Sequence, residues 1–256
     1  MKRVLTAVIG IPIVVAITLY SPRWFFALVV ALAAGQCFRE LLTFAGTRFG
    51  TRPGGWTAVA GAAVAASFVG EAEWVLTILT AAFIITIVVM TFEGSLESMI
   101  PNAGIVALGM VYCCVLLGFL VWLPSHVVLI LMGTIFAGDA AAYYGGRALG
   151  RHKLAPTISP NKTVEGSIAG LVGSVLAGIG LGSSLSGLSG FSITFLAVAC
   201  FAAGIAGQLG DLAESALKRS AGVKDSSSLL PGHGGMLDRL DSLIFAAPVF
   251  FWFFRQ

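Results

Sequence analysis

Between residues 211 and 241, ionisable side chains recur at helical and loop spacings suited to work on phosphate esters. The run Asp211-Leu-Ala-Glu214-Ser215-Ala-Leu-Lys218-Arg219 sets Asp211, Glu214, Ser215 and Lys218 on one helical face, with Leu212, Ala213, Ala216 and Leu217 off it. Alone, that stripe equally describes a cytoplasmic helix extension carrying a Glu214 to Lys218 surface pair. It is followed, however, by Lys224-Asp225, by Pro231-Gly232-His233-Gly234-Gly235, and by Asp238-Arg239-Leu240-Asp241 at the head of an apolar run. Glycines let backbone N–H groups approach a phosphate closely, and a helix start favours anions. Asp238 and Asp241 are three residues apart on one helical face. Two carboxylates there either cap the helix and complement its dipole or share a hard cation such as Mg²⁺, which takes oxygen ligands and nucleotide phosphates. The Lys, Arg and His residues beside them favour the second reading.

A second polar segment runs from Gly145 to Gly166. Its Arg147, Arg151 and Lys153 serve as well for topology and anionic-lipid contact as for catalysis. Ser159-Pro160 opens a turn that leads to Lys162, Thr163 and Glu165 at the mouth of the next helix, a suitable place to hold phosphate oxygens. Asp139 lies inside an apolar run, where an ionisable group is costly and marks function, the alternative being an acid paired with Arg147.

The elements that must position these groups are membrane helices. Of 256 residues, 57% are hydrophobic and 11% charged, far from the balance of soluble domains. A mean hydropathy of +0.96 excludes a soluble enzyme with one anchor, a disordered chain and a secreted disulfide scaffold. A net charge of +3 is too small for a general nucleic-acid binder. Cys37, Cys113, Cys114 and Cys200 lie in apolar runs without metal-type spacing and read as buried thiols. No small-residue cleavage site follows Met1-Lys2-Arg3, so the first run is expected to be retained.

Nine apolar runs are expected to form spans: residues 4–20, 24–45, 56–69, 74–92, 103–123, 127–146, 166–184, 191–209 and 241–254. With the N-terminus inside, only Arg23 and Arg255 of the 15 Lys and Arg residues fall outside, which supports an odd number of crossings and an external C-terminus. The expected fold is therefore all-α, a polytopic membrane helix bundle with a cytoplasmic N-terminus. Residues 1–125 form N-terminal transmembrane helices, and 126–256 form a catalytic region whose polar loops 147–165 and 210–240 face the cytoplasm.

The segment Ser215-x-Leu217-Lys218-Arg219-x₄-Lys224-Asp225-x-Ser227-x₂-Leu230-Pro231-x-His233-Gly234-Gly235-Met236-x-Asp238-Arg239-Leu240-Asp241 closely resembles the signature of the phosphatidate cytidylyltransferase, or CDP-diacylglycerol synthase, family. Asp139, Tyr143, Gly146-Arg147, Gly150 and Ser159 to Gly166 also resemble the family's pattern, so the likeness covers roughly residues 130–245. Ser227 stands where Gly is frequent, and Asn161 where a second Lys is common.

The resemblance implies the reaction of CTP with phosphatidate to give CDP-diacylglycerol and pyrophosphate, at the cytoplasmic face of a bacterial-type plasma membrane. Both substrates are strongly anionic, so the site needs divalent metal held by acids with cations around it. Asp211, Asp238 and Asp241 are the expected holders of Mg²⁺, alone or with a second cation. Lys218, Arg219, Lys224 and Arg239 are assigned to the phosphates. His233 orients phosphates or steers the leaving pyrophosphate, and Asp225 completes the catalytic set. Asp139, Ser159, Lys162, Thr163, Glu165, Glu214, Ser215, Gly234 and Gly235 are the expected substrate-binding residues. The expected partners are CTP, phosphatidate and membrane lipids, with no nucleic acid; oligomeric state is open, a homodimer included. Two other readings compete. A CTP-dependent polyprenol or phytol kinase would transfer the γ-phosphate to an alcohol, and a transporter would place its charges along a path near the bilayer midplane.

Overall fold

Runs of Ala, Leu, Val, Ile and Phe without polar alternation satisfy their backbone in lipid by forming helices, and the computed structural model is helical nearly throughout the residues it describes, 2–49, 54–93, 96–184, 191–229 and 234–255. The helices are α1 (Lys2–Tyr20), α2 (Arg23–Phe49), α3 (Trp56–Ala66), α4 (Ala72–Glu93), α5 (Leu96–Gly109), α6 (Leu116–Trp122), α7 (Ser125–Leu149), α8 (Val164–Ser184), α9 (Ile193–Ser220) and α10 (Leu237–Phe254). A 3₁₀ turn, Ser67–Val69, extends α3, and a π-helical turn, Met110–Val115, joins α5 to α6. Among the described residues, six stretches are long and apolar enough to cross a membrane: Arg23–Gly46, Ala72–Phe92, Leu96–Trp122, Ser125–Leu149, Val164–Ser184 and Ile193–Ser220. Gly10–Tyr20 and Trp56–Val69 are shorter apolar helices.

The chain divides into two units, one of Met1–Trp122 with Leu217–Leu240, the other of Leu123–Ala216 with Asp241–Gln256. In the first, α2 packs against α3, α5 and α6 around Phe38, which is completely buried. The Phe38 ring fills the space above Gly61 and Gly109, where any Cβ would collide with it. Phe68 packs at a tilt against Trp122 with ring centroids 4.5 Å apart, and the Trp122 indole N–H donates to the Gly70 carbonyl at 3.0 Å.

In the second unit α7 lies along α8. The buried residues of α8 are Gly166, Gly170, Ser174, Gly178 and Gly182, a repeat of four that brings two backbones close. A short antiparallel hairpin, β1 (Lys153–Ala155) and β2 (Ser159–Thr163), precedes α8, with Lys153 opposite Thr163 and Ala155 opposite Ser159. The all-α expectation missed this hairpin, because three- and five-residue strands carry no usable periodicity.

Candidate functional site

In the unit containing residues 123–216 and 241–256, charge gathers where α7, β2, α9 and α10 carry Asp139, Lys162, Asp211 and Asp241. The Lys162 ammonium pairs with Asp211 Oδ2 at 2.5 Å, both side chains being about one-third exposed or less, at 28% and 31%. Ser215, one turn along α9, directs its hydroxyl at Asp211 Oδ1 at 3.5 Å. The charges of Asp211, Glu214 and Asp139 act on Asp241 through space, and Asp139 feels both Asp211 and Lys162. Glu214 is completely buried, so the surface-pair reading of its helix face does not hold. The donor set, carboxylate oxygens with one ammonium nearby, fits a hard divalent cation. Among the described residues no three acids, histidines or cysteines converge into a ready-made coordination shell.

The start of α8 is tied down locally. Thr163 caps it, its hydroxyl accepting the Gly166 N–H at 3.1 Å. Glu165 accepts the backbone N–H of Arg151 at 3.0 Å and of His152 at 3.2 Å, and meets His152 Nδ1 at 2.6 Å, so it closes the base of the hairpin. Ser159 sits partly buried in β2. Gln208 on α9 donates to the Ser167 carbonyl at 3.0 Å and accepts the Ser167 hydroxyl, a polar link between α8 and α9 that sequence reasoning missed.

In the unit containing residues 1–122 and 217–240, α9 stops in a Schellman motif. Val223 N–H bonds the Lys218 carbonyl and Gly222 N–H bonds that of Arg219, each at 3.0 Å, with Gly222 at φ +76°. Lys218 thereby stands in the last turn, its ammonium 2.5 Å from Asp238 Oδ1, with both side chains nearly buried at 11% and 10% exposure. Asp238 Oδ2 accepts the Gly235 N–H at 2.7 Å, the Ser226 N–H at 2.9 Å and the Ser226 hydroxyl at 2.8 Å. Burial alone would raise the Asp238 carboxyl; Lys218 first, then the Gly235 and Ser226 donors, outweigh it and hold it at about 2 instead of 3.8. Gly234 has φ +79°, a left-handed conformation that suits glycine, and a Cβ there would press on Asp238 Oδ2.

Arg219, Lys224, Asp225 and Arg239 are exposed, the Arg219 guanidinium donating to the Val223 carbonyl at 3.2 Å. His233 lies outside the described residues. Glu40, which no motif singled out, accepts hydrogen bonds from Ser226, Ser227, Met236 and Leu237. A lone acid inside the apolar run 24–45 was the available signal.

Residues 1–256, the whole chain, match the profile described as the cytidylyltransferase family. The chain belongs to that family. Over 122 residues it is 49% identical to the phosphatidate cytidylyltransferase of Haemophilus influenzae, covering 47% of this chain and 42% of that protein. Over 126 residues it is 45% identical to the phosphatidate cytidylyltransferase of Brucella suis biovar 1, covering 49% and 46%. An uncharacterized Escherichia coli protein, YnbB, is 46% identical over 128 residues, covering 50% and 42%. This cytidylyltransferase-family chain thus spans less than half the length of the curated relatives it matches.

Proposed function

We propose that this protein transfers the cytidylyl group of CTP to phosphatidate, forming CDP-diacylglycerol and pyrophosphate, at the cytoplasmic face of a bacterial plasma membrane. The observation that carries the reading is the grouping of Lys162 with Asp211, Asp139 and Asp241 in a member of the cytidylyltransferase family. Half of the chain is, moreover, 45–49% identical to proteins named phosphatidate cytidylyltransferase.

In this reading a phosphate oxygen of phosphatidate attacks the α-phosphorus of CTP, the bond to the β-phosphate oxygen breaks, and pyrophosphate leaves. Phosphate monoesters have a second pKa of about 6, so the nucleophile is largely dianionic near neutral pH and needs no general base. What the protein must supply is positioning and positive charge. Asp211 and Asp241, with Asp139 beside them, would hold Mg²⁺, which when bound neutralises charge on the triphosphate. Asp238 is already engaged by Lys218, Ser226 and Gly235, and its part is to orient Lys218 toward a phosphate. Lys162 balances Asp211 before substrate arrives. Arg219, Lys224 and Arg239 are exposed and would meet phosphates arriving from water or from the headgroup plane, while Lys218, fixed by Asp238, is assigned as the primary phosphate ligand.

Nine crossings with a cytoplasmic N-terminus complete the reading. They put both polar segments on the side where CTP is dissolved and where phosphatidate presents its headgroup. The test is to incubate purified protein and Mg²⁺ with α- or γ-labelled CTP, offering phosphatidate in one set and polyprenol or phytol in another. Label from the α position in lipid with phosphatidate, lost on chelation with EDTA, is the expected result. Label from γ in an alcohol would replace this reading with the kinase reaction.

A further inference from the structure

Glu40 is an acid that the transfer chemistry above leaves without a task. It sits on α2 at 2% exposure, and its carboxylate accepts five hydrogen bonds. Gln36, one turn earlier on the same helix, donates to Oε1 at 3.0 Å. The other four donors come from the signature segment. Ser227 Oγ at 2.8 Å and Met236 N–H at 3.0 Å reach Oε1, while Ser226 Oγ at 2.8 Å and Leu237 N–H at 2.9 Å reach Oε2. Met236 directly precedes α10 and Leu237 opens it, where backbone N–H groups lack intrahelical acceptors, so Glu40 caps that helix from another element and sets negative charge at its positive end.

The same contacts reach the Lys218 and Asp238 pair. The Ser226 hydroxyl has one hydrogen and lies 2.8 Å from both Glu40 Oε2 and Asp238 Oδ2, so it stands between the two carboxylates and serves one at a time. Gly235, whose N–H holds Asp238 Oδ2, packs so tightly that a Cβ would collide with Ser226 Oγ and the Glu40 carboxylate. With Oδ2 held by backbone and hydroxyl, Oδ1 is directed at Lys218. Being buried and fully engaged, Glu40 has no route to a substrate proton, and its influence passes through its neighbours.

We propose that Glu40 is a positioning residue of the transfer site: it clamps the Ser226–Ser227 and Gly235–Leu237 stretches to one carboxylate, so that Asp238 presents Lys218 at a fixed place. The inference rests on the cytidylyl-transfer reading. Replacing the carboxylate with an amide turns one acceptor into a donor that faces donors, so the clamp must open on that side.

The experiment uses the full-length protein in detergent, with kcat and KM measured from α-labelled CTP and phosphatidate. For Glu40→Gln, kcat should fall by about 10- to 100-fold, as expected of a small misplacement near reacting groups, while the KM for phosphatidate changes by less than about threefold. The double variant Glu40→Gln/Lys218→Ala should be no slower than Lys218→Ala alone, because one acts through the other. Unchanged kcat per folded molecule, or losses that multiply in the double variant, would overturn the proposal and leave Glu40 a stability residue. If Glu40→Gln does not fold, Ser226→Ala takes its place in the same cycle. It leaves both carboxylates intact, and a non-additive loss of kcat supports the clamp, whereas none or a multiplicative one overturns it. Wild-type protein run alongside separates the two ideas. An inactive wild type refutes the transfer reading on which the clamp rests; an active wild type with an unaffected variant refutes the clamp alone.

Discussion

A carboxylate that accepts four hydrogen bonds, one of them from an ammonium, is a reporter of its own ionisation, and Asp238 is such a group. Its folded-state value of about 2 lies below the 3.8 of an unperturbed Asp. The stabilisation this represents is on the order of 2 kcal/mol, fully present above about pH 4 and lost as pH falls through the folded-state value. Thermal unfolding of wild type and Asp238→Asn should therefore differ clearly at pH 7, and the gap should narrow as the pH falls from about 4 toward 2. A gap independent of pH would mean that the carboxylate is not held ionised by its donors. At this scale the sequence was legible in part. The spacing of Asp238 from Asp241 and the glycines before them point to a built loop, and the structure places Lys218 on Asp238 and Lys162 on Asp211. What spacing could not show is the partner of Glu40: its bond to Ser226 joins residues 186 apart in the chain, and no periodicity links them.

Helices were the most readable level, because apolar length alone forces their existence in lipid. The expected runs 127–146 and 166–184 fall within α7 and α8, and 191–209 begins two residues ahead of α9. Less readable was why α7 and α8 meet. In lipid, apolar surface gives no preference for one neighbour over another, so contact depends on small residues that admit a second backbone. On α8 these recur every four residues from Gly166 to Gly178, each meeting α7 atoms, while Gly182 at the end of the row faces Leu196 on α9. A Cβ at Gly170 would lie 3.0 Å from Ala142 Cβ and 3.1 Å from the Gly138 carbonyl, both on α7. Gly170→Val should thus cost about 1–3 kcal/mol by overpacking, seen as a lower unfolding temperature. Ile168→Ala, at a position 58% exposed, should stay within about 0.5 kcal/mol of wild type. Equal effects of the two would show that α7 and α8 are not held by close approach.

For the molecule as a whole, the arrangement across the bilayer is the property on which the proposed access of CTP and phosphatidate depends. Among the described residues six stretches meet the length and hydropathy of a span, and α10 is not among them, yet its apolar run 241–254 must cross for Arg255 to lie outside. Nine crossings require it to do so, whereas Arg255 on the cytoplasmic side would simply join the basic majority there, so this is the helix that labelling must place. Native thiols offer a quiet background, because Cys37, Cys113, Cys114 and Cys200 are all buried. Thr157 in the hairpin turn and Arg255 after α10 are both exposed. With a membrane-impermeant maleimide, Thr157→Cys should label in inverted vesicles and not in right-side-out ones, and Arg255→Cys should show the reverse. Three helices, α8, α9 and α10, separate the two positions, so labelling from the same side would mean that an even number of them cross. Because α8 and α9 each satisfy the requirement for a span, that outcome would assign α10 to the interface, place both chain ends on one face, and remove the charge-count argument for nine crossings.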